Sequence, residues 1–308
     1  MVYLSLCIPT NGVSEWVFPV LEAIYTQDVD RSLFEVVVTD NGDNGDFKEK
    51  MKAFVGKYDN LVYKETRAFL FENQIEALRL ARGEFLKFLN HRSLLEDGAL
   101  EWMIGLVKEF MAEKPVVYLS DGALGLAKRA EYGTFDGFVA GLKRYASWTT
   151  GVGVWKEDFE KIPANWVYNK ISPHSDVLFF ERKRSKYVID DKKWCHDIDH
   201  SHKNKGKYDL YKAFAVEEIS ITLSLYVNGD ISSKTLKEVI GDYKAFVSWC
   251  YSEFNILHRP CSYNIDGFDE AMGVFMQKRD VLLKAYVRIM RDAIKAPFKW
   301  MKNLVRGK

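Results

Sequence analysis

Apolar residues fall along this chain in short unbroken runs, each closed by a polar cluster and separated from the next by stretches of helical spacing. Val2 to Ile8 is a continuous β-favouring run ending at Pro9-Thr10-Asn11, the pattern of a buried strand that meets a loop. Glu15 to Tyr25 carries Trp16, Val20, Ala23 and Ile24 at helical spacing, with Pro19 an awkward interior member. Phe34 to Thr39 reads as a second buried strand closing on Asp40-Asn41-Gly42, Lys48 to Tyr58 as a helix, and Leu61 to Lys64 as a third strand. Asn73 to Arg82 is helical again. After a stop at Gly83, a strand from Glu84 to Leu89 runs into Asn90-His91-Arg92-Ser93. This βαβα alternation predicts an α/β fold with a mainly parallel sheet and helices on both faces. Ligands of such sheets bind beyond the carboxyl ends of the strands, where Pro9-Thr10, Asp40 and Asn90-His91-Arg92 converge.

Further along, the pattern predicts a helix over Glu96 to Met111, a strand over Val116 to Ser120 and a helix over Phe135 to Trp148. Thr149 to Trp155 reads as a glycine-interrupted strand whose glycines suit close approach of a ligand or another backbone. Pro163 to Pro173 is irregular, and Ser175 to Arg182 starts a helix with Ser172 or Ser175 as cap. Beyond residue 210 the spacing is helical over Leu210 to Tyr226, Ser232 to Phe254 and Asp269 to Ala296. The expected division is therefore an α/β domain over 1–205 and a helical C-terminal extension over 206–308.

Composition narrows the classes. A chain of 308 residues, 47% hydrophobic and 28% charged, has the material for a full core. A net charge of +1 gives no global electrostatic case for nucleic acid. Local charge differs: Lys278, Arg279, Lys284, Arg288, Arg291, Lys295, Lys299, Lys302, Arg306 and Lys308 face only Asp280 and Asp292 of opposite sign. Leu282, Tyr286, Ile289, Met290, Ala293 and Ile294 share a helical face there, and beyond Pro297 follow Phe298, Trp300, Met301 and Leu304. A basic amphipathic tail of this kind predicts attachment to an anionic membrane surface. No run of about 20 apolar residues predicts a membrane span, and no basic segment precedes the first apolar run. The expected location is cytoplasmic, peripheral on the inner face of the cell membrane. Cys7, Cys195, Cys250 and Cys261 are too widely spaced for a zinc or disulfide framework.

Two clusters invite a metal. In TDNGDNGD, Thr39 to Asp46, Gly42 and Gly45 fall where a calcium loop needs oxygen-bearing side chains, which sets calcium aside. WCHDIDHSHK gathers Cys195, His196, Asp199, His200 and His202, with His196 and His200 placed to share a helical face. Its flanking lysines and the lack of a second ligand cluster favour a solvated loop over zinc. Trp148, Trp155 and Trp166 offer ring faces for a sugar, or core packing.

The ordered run LSLCIPTNG, FEVVVTDNG, ENQIEALRLARGEFLKFLN and LLEDGALEWM resembles the family 2 glycosyltransferases of the GT-A fold over about the first 110 residues. The resemblance thins to an outline through 149–155 and His174-Ser175-Asp176 and fades after residue 200. It implies an inverting transferase that binds a nucleotide-sugar, with Pro9, Thr10 and Asp40 near base and ribose and Asn73 lining the donor cleft. Where the family carries an acidic Asp-x-Asp for a divalent metal, this chain has Asn90-His91-Arg92. Asn90 and Arg92 offer a hard cation no carboxylate, whereas the planar fork of Arg92 suits phosphate oxygens. The expectation is a donor site formed with His91 and Arg92 and no metal ligands. By the same resemblance the general base lies after the glycine-bearing strand, which makes Asp176 the candidate, held ionised at a helix start, and His174 the reserve. The acceptor class implied is a saccharide or lipid-linked glycan of bacterial surface polysaccharide, capsule or O-antigen. The alternatives are a catalytically degenerate fold that binds sugar or protein, and a nucleotidyltransferase, against which the missing acidic pair also weighs.

Overall fold

The computed structural model describes residues 1–198 and 208–305, with 296–305 as backbone alone. Two compact units divide the chain, Met1–Asp199 with Gly229–Ser232, and His200–Asn228 with Ser233–Lys308. The boundary expected between 205 and 206 lies outside the described residues.

The first unit opens as its hydrophobic pattern predicts. Strands β1 (Leu4–Thr10), β2 (Phe34–Asp40), β3 (Leu61–Glu65) and β4 (Phe85–Phe88) are parallel, with α1 (Ser14–Tyr25), α2 (Gly45–Val55) and α3 (Glu72–Leu80) between them. Every residue of β2 is buried, as its run of valines requires of a strand covered on both faces. Pro19 sits inside α1. The carbonyl that it leaves unpaired is that of Glu15, in the first turn and on an exposed residue, so the helix continues past it. The strand order is β3-β2-β1-β4, so the chain steps outward from β1 to β3 and returns across β1 to lay down β4. That reversal leaves a crevice between the carboxyl ends of β1 and β4.

The remaining elements of this unit are β5 (Ser93–Leu95), α4 (Ala99–Phe110), β6 (Val116–Leu119), β7 (Arg129–Tyr132), α5 (Phe135–Leu142), β8 (Gly153–Trp155), α6 (Lys156–Phe159), α7 (Pro173–Leu178), β9 (Tyr187–Asp190) and β10 (Cys195–Asp197). β8 closes the main sheet antiparallel to β4, β5 pairs with β10, and β9 lies between β6 and β7.

Several expectations change. The helix expected over Phe135 to Trp148 ends at Leu142, where Lys143 takes φ 51 and a 3-10 turn runs on to Ser147. The strand expected over Thr149 to Trp155 begins as a 3-10 turn, and only Gly153–Trp155 pairs. Its glycines admit rings, not a ligand: a Cβ on Gly151 would lie 2.2 Å from the Tyr118 ring, and one on Gly153 2.4 Å from the Phe85 ring. Trp155 is core, its Nε1 donating to the Pro115 carbonyl at 2.7 Å. Cys195–Asp197 is a strand, so His196 has no helical face to share; Asp199, His200 and His202 lie outside the described residues.

The second unit is helical, as expected: α8 (Leu210–Lys212), a π-helical turn Ala213–Glu217, α9 (Glu218–Val227), α10 (Ser233–Cys250), a second π-helical turn Tyr251–Ile256, α11 (Phe268–Ala271) and α12 (Lys278–Val305). The helix expected over Asp269 to Ala296 is interrupted between α11 and α12, where Gly273 takes φ +88, and α12 then continues through Pro297. Val281 and Ala285 of α12 are fully buried, and Arg288 reaches the buried Glu253 carboxylate at 2.6 Å.

Gly153→Ala is expected to cost roughly 1–3 kcal/mol as its methyl group collides with the Phe85 ring. Urea unfolding checks it: an unchanged midpoint would mean that the ring is free to move aside.

Candidate active site

Four side chains meet at the carboxyl ends of β1, β2 and β4. The Thr10 hydroxyl accepts the Gly12 N–H (3.1 Å) and shares a hydrogen bond with Nδ1 of His91 (2.8 Å), which bridges the crevice from β1 to the segment after β4. His91 stands edge-on to Trp16, ring centres 5.0 Å apart. Burial, with the Arg92 charge beside it, pushes its pKa down to about 3. The ring is therefore neutral. Asp40 closes β2: Oδ1 accepts the Gly42 N–H (2.8 Å) and Oδ2 the Tyr63 hydroxyl (3.1 Å). Burial still pushes its carboxyl above the ordinary range.

Asn73, on α3, is engaged at every polar atom of its amide. Nδ2 donates to the carbonyls of Thr10 (3.1 Å) and Thr39 (2.8 Å), and Oδ1 accepts the Thr66 hydroxyl (2.8 Å). It lines the crevice only by holding the strand ends that form it. Pro9 pairs with Thr39 in the β1–β2 ladder, beyond Cys7, where pairing of β1 with β4 stops. A residue without an N–H is tolerated there because nothing on the β4 side asks for one.

The base candidates sit on α7. Nε2 of His174 donates to the Ser147 carbonyl (2.9 Å); Nδ1 accepts the Thr149 hydroxyl (3.3 Å) and faces the Gln74 side chain (3.2 Å). Burial pushes its pKa down to about 4. With Nε2 donating and Nδ1 accepting, His174 fastens α7 to the 3-10 turns and leaves neither nitrogen for a substrate, while α7 packs on α3. Asp176 differs. One of its oxygens accepts the Asn169 N–H, and the other has no hydrogen-bond partner among the described residues. Burial pushes its pKa up to about 6 against the pull of the Asn169 N–H and the Arg182 charge, so the helix start does not hold it in the ordinary carboxylate range, although it is mainly ionised at neutral pH. α7 has only six residues, a weak dipole to set against desolvation.

Arg92 turns away from the crevice floor toward β10. Its Nε lies 3.5 Å from Oδ2 of Asp197 and makes no hydrogen bond. Oδ1 of Asp197 accepts the Ser93 hydroxyl at 2.7 Å. Among the described residues Asp197 is thus the carboxylate beside Arg92, and each of its oxygens faces a partner, Oδ1 the Ser93 hydroxyl and Oδ2 the guanidinium. Among the described residues no group of three or more His, Cys, Asp or Glu side chains is placed to hold a metal ion. Among the described residues, the donor set beside Arg92 offers one shared carboxylate, too few oxygen ligands for the divalent ion that the family resemblance implies.

Gln74, Tyr63, Asn169 and Asp197 carry parts of this arrangement that the sequence pattern did not flag. Gln74 follows Asn73 directly, and Asp197 lies in the His-rich cluster, so each stood beside a flagged residue without a spacing of its own. Trp148 and Trp166 are partly exposed, Trp166 edge-on to Phe180 at 5.7 Å. A separate cavity of about 370 Å³ opens near the amino ends of the strands, between Leu78, Arg82, Leu86, Lys156 and Phe159. Its cations are paired, Arg82 with Glu35 and Lys156 with Glu160.

No protein-family model matches the chain, and no curated protein matches it. Solved structures do. The crystal structure of S. aureus TarS 1-349 in complex with UDP-GlcNAc aligns over 89% of this chain and 80% of its own, with a TM-score of 0.61 and 14% identity. The complex of the same protein with UDP aligns over 89% and 76%, with a TM-score of 0.57 and 13% identity. The larger S. aureus TarS structure aligns over 94% of this chain and 53% of its own at 15% identity, with a TM-score of 0.57. At these identities the likeness is one of fold.

Asn73→Ala is expected to cost about 2–4 kcal/mol, since it strips a donor pair from two strand-end carbonyls. Asn73→Asp is expected to cost more, because it sets an oxygen against those same two oxygens. Equal unfolding free energies for the two variants would show that the amide does not hold the strand ends.

Proposed function

We propose that this chain is a glycosyltransferase of the inverting, family 2 type, which moves a sugar from a nucleotide-sugar donor to a saccharide or lipid-linked acceptor in bacterial surface-polysaccharide assembly. The observation that carries the reading is the convergence of Thr10, Asp40 and His91 on the crevice at the strand-order reversal. A carboxylate with one unengaged oxygen, Asp176, stands on a helix packed on the same α3. The TarS structures in complex with UDP-GlcNAc and with UDP support a nucleotide-sugar in a crevice of this fold. In this reading Pro9, Thr10 and Asp40 border base and ribose, and Asn73 sets the strand ends. Nε2–H of His91 and the guanidinium of Arg92 face the diphosphate, a set of donors in place of a metal. Asp176 accepts the acceptor hydroxyl's proton as that oxygen attacks the anomeric carbon and the nucleoside diphosphate leaves from the opposite face.

Two outcomes test it by calorimetry and turnover. Arg92→Ala is expected to weaken nucleotide-sugar binding by about 1.5–3 kcal/mol as a charge-assisted contact is lost, while EDTA leaves affinity unchanged. A strict manganese requirement for binding would sink the metal-free site. Asp176→Asn is expected to lower turnover about 100-fold or more with binding retained.

The pH dependence has a definite sign. A base must be ionised, and burial holds Asp176 protonated below about 6, so turnover should rise as pH climbs through that value and level off above it. The same raised pKa implies that folding stability from this group is full at low pH and lost as pH rises through about 6. Donor binding without turnover in the native chain would favour the degenerate binding protein.

A further inference from the structure

Helix α12 carries two apolar faces, and only one of them is used. Val281 and Ala285 are fully buried on the second unit. On the opposite side Leu283, Tyr286, Val287, Met290 and Ile294 are 62%, 52%, 48%, 57% and 67% exposed. Steps of three and four residues align these five along one face of a helix. This stripe differs from the face drawn on sequence spacing: Leu282 and Ile289 are half-buried, and Leu283 and Val287 take their place. Beside it Lys284, Arg291 and Lys295 recur at steps of seven and four and are all exposed. The acids of the helix are engaged, Asp280 with Lys244 (3.2 Å) and Asp292 with Arg288 (3.8 Å) and Arg291 (3.7 Å).

We propose that this exposed stripe and its cationic row dock α12 lengthwise on an anionic lipid surface. No helix among the described residues is long and apolar enough to cross a membrane, so the geometry is of a helix that lies in the interface. A lipid surface accepts both halves of the pattern, apolar side chains entering the acyl boundary while neighbouring cations meet headgroup phosphates. A second copy of this chain suits it less well. Two such stripes laid together would bring the cationic rows of both copies to the seam, where Asp292 already serves Arg288 and Arg291 and paired helices would place opposite charges.

The test uses the full chain with vesicles of phosphatidylcholine alone and of phosphatidylcholine with phosphatidylglycerol, at low and high salt, alongside sedimentation velocity without lipid. The expected result is co-sedimentation with the anionic vesicles only, weakened by salt. Each cation near such a surface is worth about fivefold in partitioning, so Lys284→Gln with Arg291→Gln and Lys295→Gln should lower it on the order of 100-fold. Leu283→Gln with Met290→Gln and Ile294→Gln should lower it by about tenfold or more. All six positions are exposed, so both variants should melt as the native chain does. The proposal is overturned if the chain ignores anionic vesicles at low salt, or if the apolar variant binds them as well as the native chain. Self-association that the apolar variant abolishes would overturn it in favour of a second copy. Nucleotide-sugar affinity is read separately, so failure here leaves the transferase reading untouched, and the reverse holds.

Discussion

The crevice depends on one amide. Buried carbonyls at strand ends need partners, and that of Thr10 takes the Asn41 N–H (3.1 Å) and leaves a second lone pair to fill. Asn73 supplies both N–H bonds to two of them, Thr10 and Thr39, and takes the Thr66 hydroxyl on its oxygen. The ends of β1 and β2 and the start of the segment toward α3 are thereby fixed to one side chain. From the end of β1 hangs the Thr10 hydroxyl that orients His91, and from the end of β2 the Asp40 carboxylate that Tyr63 and Gly42 hold. A ligand site built on strand ends gains its definition from whatever locks those ends, and here that lock is a helix residue in the α3 crossover.

Buried polar groups in this unit sort by whether any atom is left over. Lys87, fully buried in β4, donates to the carbonyls of Phe88, Thr150 and Val152 and stands 4.9 Å from the Trp194 ring. Burial pushes its pKa down to about 7, yet three acceptors match the three N–H bonds of the ammonium, whereas a neutral amine has two. It is a clamp that holds β8 and the turn before it to β4. Glu35 does the same at the other end of the sheet, taking Ser5 at 2.7 Å and the Arg82 side chain at 3.0 Å. His174 belongs with them. Asp176 and His91 do not: a carboxylate oxygen on one and Nε2 on the other have no partner among the described residues, and a polar atom held in place but unspent is what a substrate can use.

The parallel half of the sheet was legible because its strands are buried on both faces and write themselves as unbroken apolar runs. Tyr187–Asp190 is four residues between lysines and aspartates, and Arg129–Tyr132 alternates charge with small or aromatic side chains, so neither pattern separates from a loop. Their pairing with each other, and with Val116–Leu119, is what makes them strands. Thr10, Asp40 and Asn73 could be found because each closes or follows a run with a clear period. What spacing could not say is which of them touches a ligand and which holds the others, since that turns on hydrogen bonds between residues tens of positions apart. Asp176 illustrates the limit: from the helix alone a first-turn carboxylate reads as having a lowered pKa, and only the packing around it reveals that desolvation raises it to about 6.

Charge at the carboxyl end of β4 follows from β10, which the sequence pattern did not reveal. Antiparallel pairing sets Asp197 opposite Ser93, and so next to Arg92. The pair is loose, at 3.5 Å with Asp197 half exposed, and contacts of that kind contribute at most about 1 kcal/mol. Arg92 is therefore steered but weakly held. A diphosphate offers a guanidinium two parallel charge-assisted hydrogen bonds, each stronger than this contact, so it would draw Arg92 off Asp197 rather than add to the pair. Asp197 keeps the Ser93 hydroxyl in either arrangement. The antiparallel register that sets Asp197 opposite Ser93 therefore leaves Arg92 beside an acid that holds it loosely, a cation free to exchange that partner for a stronger one.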